Sequence, residues 1–313
     1  MAQPPRLGKA GNVLQARQDN GMSGELSIGF VGFGEAGSSI AKGLKSAGIS
    51  RIFAFDIAPE RVRDRATETE VPLVGSNQEL AESAGIIFST VTCSRAKEAA
   101  ELTAPYLRSH HLYADLNSVS PALKQDIDRV ISSTGARFVE VAVMSPILPQ
   151  MHRSPMLIGG KDAPAFAELM TPFGMKLQFV AENVGVAAAT KMFRSIIVKG
   201  LEALVLECAL ASVPYGADER VFSSLSESFP GIDWQKLANY MVSRVVVHGE
   251  RRAREMEEVA ETLESLGIEP IMAVAAARRQ DWCARLGISS QFGPDGPPTY
   301  RDAVSCIMRV REK

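Results

Sequence analysis

From Leu26 onward, apolar and polar positions alternate between two periods. A short apolar run (Leu26, Ile28, Phe30, Val31) leads into a glycine turn, after which Ile40, Ala41 and Leu44 recur at helical spacing on one face. Further apolar runs stand at Ile52 to Ile57, Ile86 to Val91, Leu112 to Leu116 and Phe138 to Val143, with charged segments between them. Short apolar runs alternating with helical stretches predict the α/β class, a parallel sheet covered by helices. Helix-start chemistry agrees with the periodicity. Ser120-Pro121 puts a capping hydroxyl before a proline at the first helical position, and Asp162-Ala163-Pro164 predicts another start near residue 162.

Beyond about Asn183 the strand signals stop. Val184 to Val213 reads as one long helix, apolar on most faces, and Met256, Val259, Ala260, Leu263 and Leu266 form a later stripe closed by Gly267. We therefore expect an N-terminal Rossmann domain with a doubly wound sheet over residues 26–183 and an all-helical C-terminal domain over residues 184–313. The long helix carries more apolar residues than one side of a two-domain monomer needs to bury, which predicts a homodimer. Residues 1–25 are rich in Gly, Gln, Arg and Pro, lack periodicity and lack the apolar core of a secretory signal, so a disordered tail is expected there. Met22, just before the first apolar run, leaves open that the tail is an upstream extension.

Composition narrows the kind of ligand. At 313 residues the chain exceeds what one core usually serves, which agrees with two domains. Lys and Arg total 34 against 36 Asp and Glu, a formal charge of -2 that supplies no electrostatic footprint for nucleic acid or an anionic membrane. A small-molecule substrate is expected instead. The longest apolar stretch is broken by Lys191, Arg194, Lys199, Glu202 and Glu207, so no membrane span is predicted. Cys93, Cys208, Cys283 and Cys306 lie far apart with no CxxC pair, which points to a reducing, cytoplasmic compartment. Neither these cysteines nor His110, His111 and His152 have metal-ligand spacing, so no metal is expected, and no GxSxG elbow supports a serine triad.

The glycine turn carries the first chemistry. Gly32-Phe33-Gly34-Glu35-Ala36-Gly37 is a GxGxxG that follows a strand-like run and opens a helix. In such a turn the first glycine permits the tight bend, the second lets the backbone approach a pyrophosphate, and the third allows close helix-strand packing; Glu35 and Ala36 begin the helix whose N-terminus attracts phosphate. Asp56 stands 19 residues past Gly37 at the end of the second apolar run, where a carboxylate accepts hydrogen bonds from ribose hydroxyls. A carboxylate repels a 2′-phosphate, so NAD is favoured, while Arg61 and Arg63 keep NADP open as the cofactor.

With these residues the chain resembles the β-hydroxyacid dehydrogenase superfamily, the group that contains 3-hydroxyisobutyrate and 6-phosphogluconate dehydrogenases. The resemblance spans roughly residues 26–215. It rests on GFGEAG, on Asp115-Leu116-Asn117-Ser118-Val119-Ser120-Pro121, which looks like the family's D-x-S-T-x-x-P loop, and on Gly185 to Lys191. Ser226 to Gly231 and His248 to Met256 look closer to a branch with a phosphogluconate-dehydrogenase-like C-terminal domain. The resemblance implies that Lys191 faces the nicotinamide and acts as acid or base on the substrate hydroxyl, as a partly buried lysine with a lowered pKa can. It places Asn117 near nicotinamide, Ser118 near substrate and Thr92 at the adenine-side turn. Relatives also associate as dimers through the long helix.

Two departures from the family pattern bear on the substrate. Ser195, one turn after Lys191 on the same helix face, stands where the family usually carries asparagine and either binds substrate with fewer donors or packs. At Glu140-Val141-Ala142-Val143-Met144-Ser145-Pro146 relatives tend to read D-A-P-V-S-G-G. Met144 and Pro146 replace two positions that offer N–H groups to a substrate carboxylate; Ser145 remains available. A more apolar substrate pocket is implied. On a later helix His248 shares a face with Arg251 and Arg252, either as an anion site or, given Glu250, Glu255, Glu257 and Glu258 around them, as a solvated and internally paired segment.

The leading expectation is an NAD(P)-dependent oxidoreductase that interconverts a small hydroxy acid or related alcohol with its carbonyl. An imine reductase on the same scaffold is an alternative, opposed by Lys191, which such relatives generally lack. A nucleotide-binding sensor without turnover is another, motivated by residues 144–146.

Overall fold

The computed structural model describes residues 26–311, and the tail expected over residues 1–25 lies outside them. The described residues up to Lys191 form one compact unit and those from Met192 onward a second.

The first unit is built on a seven-stranded sheet in the order β2-β1-β3-β4-β5-β6-β7: β1 Ser27–Val31, β2 Arg51–Phe55, β3 Ile86–Ser89, β4 Leu112–Asp115, β5 Arg137–Val143, β6 Met156–Gly159 and β7 Leu177–Ala181. Five strands answer the five apolar runs. On β3 every residue is buried, with Ile86 and Phe88 on one face and Ile87 on the other, so both faces carry core and the run reads as continuously apolar. Helices α1 (Glu35–Ser46), α2 (Pro59–Thr69), α3 (Asn77–Ser83), α4 (Ala96–Thr103), α5 (Pro121–Ser132) and α6 (Ala163–Met170) connect the strands. Chain order reverses at β1, with β2 on one side and β3 on the other, and ligands bind outside the carboxyl ends of strands at such a switch point.

The sheet departs from the expected all-parallel pattern at one place. β6 runs antiparallel to β5, because residues 144–155 turn the chain back without a crossover helix. Of the two predicted helix starts, Ser120 caps as expected, its Oγ accepting from Leu123 N at 3.3 Å with Pro121 following. Asp162 occupies its cap position without a side-chain bond to the helix, so the α6 signal there is proline alone.

α7 (Val186–Ser212) opens in the first unit and continues into the second, which holds α8 (Asp218–Ser228), α9 (Trp234–Ser265), α10 (Ile271–Arg285) and α11 (Tyr300–Arg311). No strand occurs among its described residues. Val205, Leu206, Phe222, Val242, Val245, Val304 and Ile307 belong to its main core. α9 begins twenty residues before the stripe that announced it, at Trp234 rather than Arg254, and leaves helical geometry at His248. Its end follows expectation: Gly267 takes φ +74, and Ile268 N donates to Leu263 O at 2.9 Å. Among the described residues no helix is long and apolar enough to cross a membrane, and no His, Cys, Asp and Glu cluster could hold a metal ion.

Candidate functional site

At the carboxyl end of β1 the three glycines do different work. Gly32 has φ +84, and a Cβ there would stand 2.7 Å from Val91 Cγ1 and 2.8 Å from Thr90 O. A Cβ at Gly37 would meet Thr90 Oγ1 at 2.6 Å and Gly32 O at 2.8 Å. Only Gly34 faces open space, with nothing within 4 Å of that position. It occupies the N-cap of α1, so no side chain closes the helix, and Glu35 and Ala36 are exposed beside it. A dinucleotide fits these residues: open backbone at the second glycine and an uncapped helix start are what a pyrophosphate requires.

Asp56 follows β2 directly and braces the turn. Its Oδ2 accepts from Phe33 N at 2.8 Å and its Oδ1 from Ala58 N at 2.9 Å. Each carboxylate oxygen has a second lone pair, so ribose hydroxyls can still donate to it. Arg61 and Arg63 are exposed on α2. Thr92 is also exposed, at the start of a short turn where its hydroxyl meets Ser94 Oγ at 3.4 Å. The residue that holds the glycine turn from β3 is instead Thr90, whose Oγ1 donates to Gly32 O at 2.6 Å.

At the end of β4 lies a buried polar network. Lys124 Nζ stands 2.9 Å from Asp115 Oδ2 and donates to Asp115 O at 2.7 Å. The Asn117 amide turns inward, donating to Ser89 Oγ at 2.8 Å and to Asp115 Oδ1, while its own Oδ1 is buried without a hydrogen-bond partner. Ser118 comes next and is exposed. Its carbonyl accepts from Cys93 Sγ at 2.9 Å, and its Oγ accepts from Lys191 Nζ at 2.5 Å. The structure thus brings together Lys191 and Ser118, residues 73 positions apart.

After β5 the chain offers few free donors. Met144 N donates to Pro155 O at 2.9 Å, Pro146 has no N–H, and the half-buried Ser145 points its hydroxyl at Pro146 O, 3.3 Å away. Ser195 is half-buried on α7 in the second unit. On α9 the internally paired reading of the His248 segment holds, but not its solvation throughout. Arg251 pairs with Glu255, whereas Arg252 is buried against Glu202 at 2.7 Å and burial lowers its pKa. Burial first, then the neighbouring Arg244, Arg251 and Arg252, holds His248 below the usual imidazole range.

Two residues of this region escaped the sequence reading. Lys124 shares a helix face with Ile127 and Ile131, and a charge on an apolar stripe was the available signal. Glu140 is a charge in the middle of an apolar strand, wholly buried, with Gly185, Ala187 and Ala188 as its partners.

Comparison with known proteins agrees with this geometry. Residues 27–117 match the family described as NADP oxidoreductase, coenzyme F420-dependent, and residues 214–283 match a domain of unknown function, DUF1932. A conserved hypothetical protein from Sinorhizobium meliloti 1021 is 35% identical, with a TM-score of 0.80 over 92% of this chain and 97% of that one. A second solved protein of unknown function, described as structurally similar to 3-hydroxyacid dehydrogenases, is 27% identical, with a TM-score of 0.72 over 83% of this chain and 97% of that one. Mitochondrial 3-hydroxyisobutyrate dehydrogenase from Drosophila melanogaster is 24% identical over 236 residues, covering 74% of this chain and 72% of its own. With a glycine turn shaped for a dinucleotide, followed in sequence by a helical region that matches DUF1932, this chain is an NAD(P)-dependent oxidoreductase similar to the 3-hydroxyisobutyrate and 3-hydroxyacid dehydrogenases.

Proposed function

We propose that the protein interconverts a small hydroxy acid or related alcohol with its carbonyl, and that Lys191 carries the hydroxyl proton. The observation behind this reading is the 2.5 Å contact of Lys191 Nζ with Ser118 Oγ at the end of β4. NAD(P), when bound, accepts or returns the hydride. The chain's own task is the proton. In oxidation a neutral Lys191 takes the hydroxyl proton as the C=O bond forms, and in reduction the ammonium gives it back. Ser118 suits both states, since its hydroxyl accepts from the ammonium and donates to the free amine. Ser118 and Ser145 are the polar groups offered to substrate in the first unit, and Ser195 is a candidate in the second. With the N–H of Met144 engaged and Pro146 lacking one, a substrate with an apolar substituent fits the loop after β5 better than one needing a full carboxylate cradle. Thr92 and Asn117 remain on the cofactor side of this reading, Asn117 acting through the loop it holds.

Asp56 is the proposed ribose partner and sets the preference for NAD over NADP. Asp56→Ala is expected to weaken NAD binding about 10–100-fold, the worth of hydrogen bonds to a charged group. Loss of the brace on Phe33 weakens both cofactors, whereas loss of ribose contact and phosphate repulsion changes their ratio. Dissociation constants for NAD and NADP separate the two effects. An unchanged ratio removes Asp56 from the ribose site.

We also infer a homodimer, formed through the second unit. α7 exposes Ile197 at 66% and Leu204 at 54%, and α10 exposes Ile271 and Met272. Apolar side chains of this size in water are a surface for a second copy. Light scattering is expected to give the dimer mass, and a monomer mass across working concentrations rejects the inference. The wide spacing of the four cysteines, with no CxxC pair, supports a reducing compartment such as the cytoplasm.

A further inference from the structure

Glu140 lies on β5 with its carboxylate 0% exposed. A carboxylate leaves water at heavy cost unless its oxygens find other donors. Three backbone N–H groups meet this one: Oε1 accepts from Gly185 N at 2.8 Å and Ala187 N at 3.0 Å, and Oε2 from Ala188 N at 3.3 Å. These groups open α7, where no intrahelical carbonyl reaches them. A helix usually closes that end with Ser, Thr, Asp or Asn of its own. Gly185, with φ +107, has no side chain to offer, so the cap comes from the sheet. Gly159, paired with Glu140 across β5 and β6, leaves the room, since a Cβ there would stand 2.5 Å from Oε1.

Lys191 stands four residues beyond Ala187, about 6 Å further along the helix axis. We propose that Glu140 is a positioning residue for Lys191: it fixes the first turns of α7 against β5 and holds a negative charge at the helix start, so that the ammonium is presented to Ser118 and its proton affinity is sustained. The catalytic consequence rests on Lys191 as proton carrier; the effect on Lys191 itself does not. The positive end of a helix dipole disfavours an ammonium in its first turns, and an anion placed there offsets it. Removing the charge therefore lowers the lysine pKa.

The test uses the full chain and two readouts. Acylation of Lys191 by an amine-reactive anhydride at a series of pH values, followed by mass spectrometry, gives its titration midpoint without any substrate. Glu140→Gln, which keeps length and loses charge, is expected to lower that midpoint by about half to one pH unit. The rising limb of kcat for oxidation is expected to move to lower pH by the same amount, with KM and NAD affinity little changed. Gly159→Ala pushes the carboxylate from its seat and leaves its charge, so plateau kcat is expected to fall about tenfold with a smaller midpoint change. A folded Glu140→Gln protein with the parent's midpoint overturns the proposal. A shifted midpoint with an unmoved kcat limb leaves the positioning intact and rejects Lys191 as proton carrier. Should Glu140→Gln not fold, Gly159→Ala decides, and an unchanged kcat overturns the proposal.

Discussion

Lys191→Met is expected to lower kcat by about 10²–10⁴-fold, the usual contribution of a positioned acid or base. Methionine keeps much of the side-chain length while removing the charge and the proton, so the packing change is small. NAD affinity is expected to stay near the parent's, because the nucleotide contacts proposed here come from the turn at residues 32–37 and from Asp56. Lys191→Arg retains a cation but stays protonated, so it is expected to fail as a base as well. The measurements are kcat, KM and NAD dissociation constant for each folded variant. If Lys191→Met turns over within a few-fold of the parent, the role passes to Ser118, Ser195 or His248.

The second large effect is on stability. Lys124→Met is expected to destabilise the protein by about 3–5 kcal/mol, because it strands a buried carboxylate. Lys124 is 1% exposed and Asp115 0%, so water cannot replace the lost partner. The ammonium also holds Asp115 O, and so fixes the end of β4 from which Asn117 and Ser118 extend. Converting both partners together, Asp115→Asn with Lys124→Met, is expected to cost less than the sum of the two single changes, since the double change leaves no lone buried charge while each single change does. Urea unfolding of the four proteins measures this. A single-variant loss below about 1 kcal/mol shows that the pair is solvated or dispensable.

Five strands, the helical second unit and the glycine turn were legible because one local pattern settles each: a doubly buried run, a 3.6-residue period, a turn that only glycine permits. β6 and β7 were not. β7 is an edge strand, half-exposed along Leu177–Ala181, so no apolar run marks it, and β6 pairs in a direction that depends on the turn at residues 144–155. α9 announced only its second half. Near its start, Asp233 caps through Oδ1 to Lys236 N, but the kink at His248 interrupts the period that would have joined the halves.

The site shows the same division. Gly34 and Asp56 stand in a motif whose geometry is local, and Lys191 came from a family resemblance. Lys124, Thr90 and Glu140 act through partners 9 to 58 residues away, and no periodicity reports such pairings. For Lys124 and Glu140 the trace in sequence was a charge among apolar neighbours. It says that a partner exists, without saying which.

A turnover screen followed by nicotinamide absorbance, run with NAD and NADP over small hydroxy acids, alcohols and imines, decides between the proposed chemistry and its alternatives. Oxidation of a CH–OH substrate is expected, faster with NAD, and Lys191→Met is expected to lower it about 10²–10⁴-fold while still binding NAD. Stoichiometric NAD(H) binding by the parent with no turnover across the panel contradicts it and makes the protein a nucleotide sensor; turnover of imines alone makes it an imine reductase.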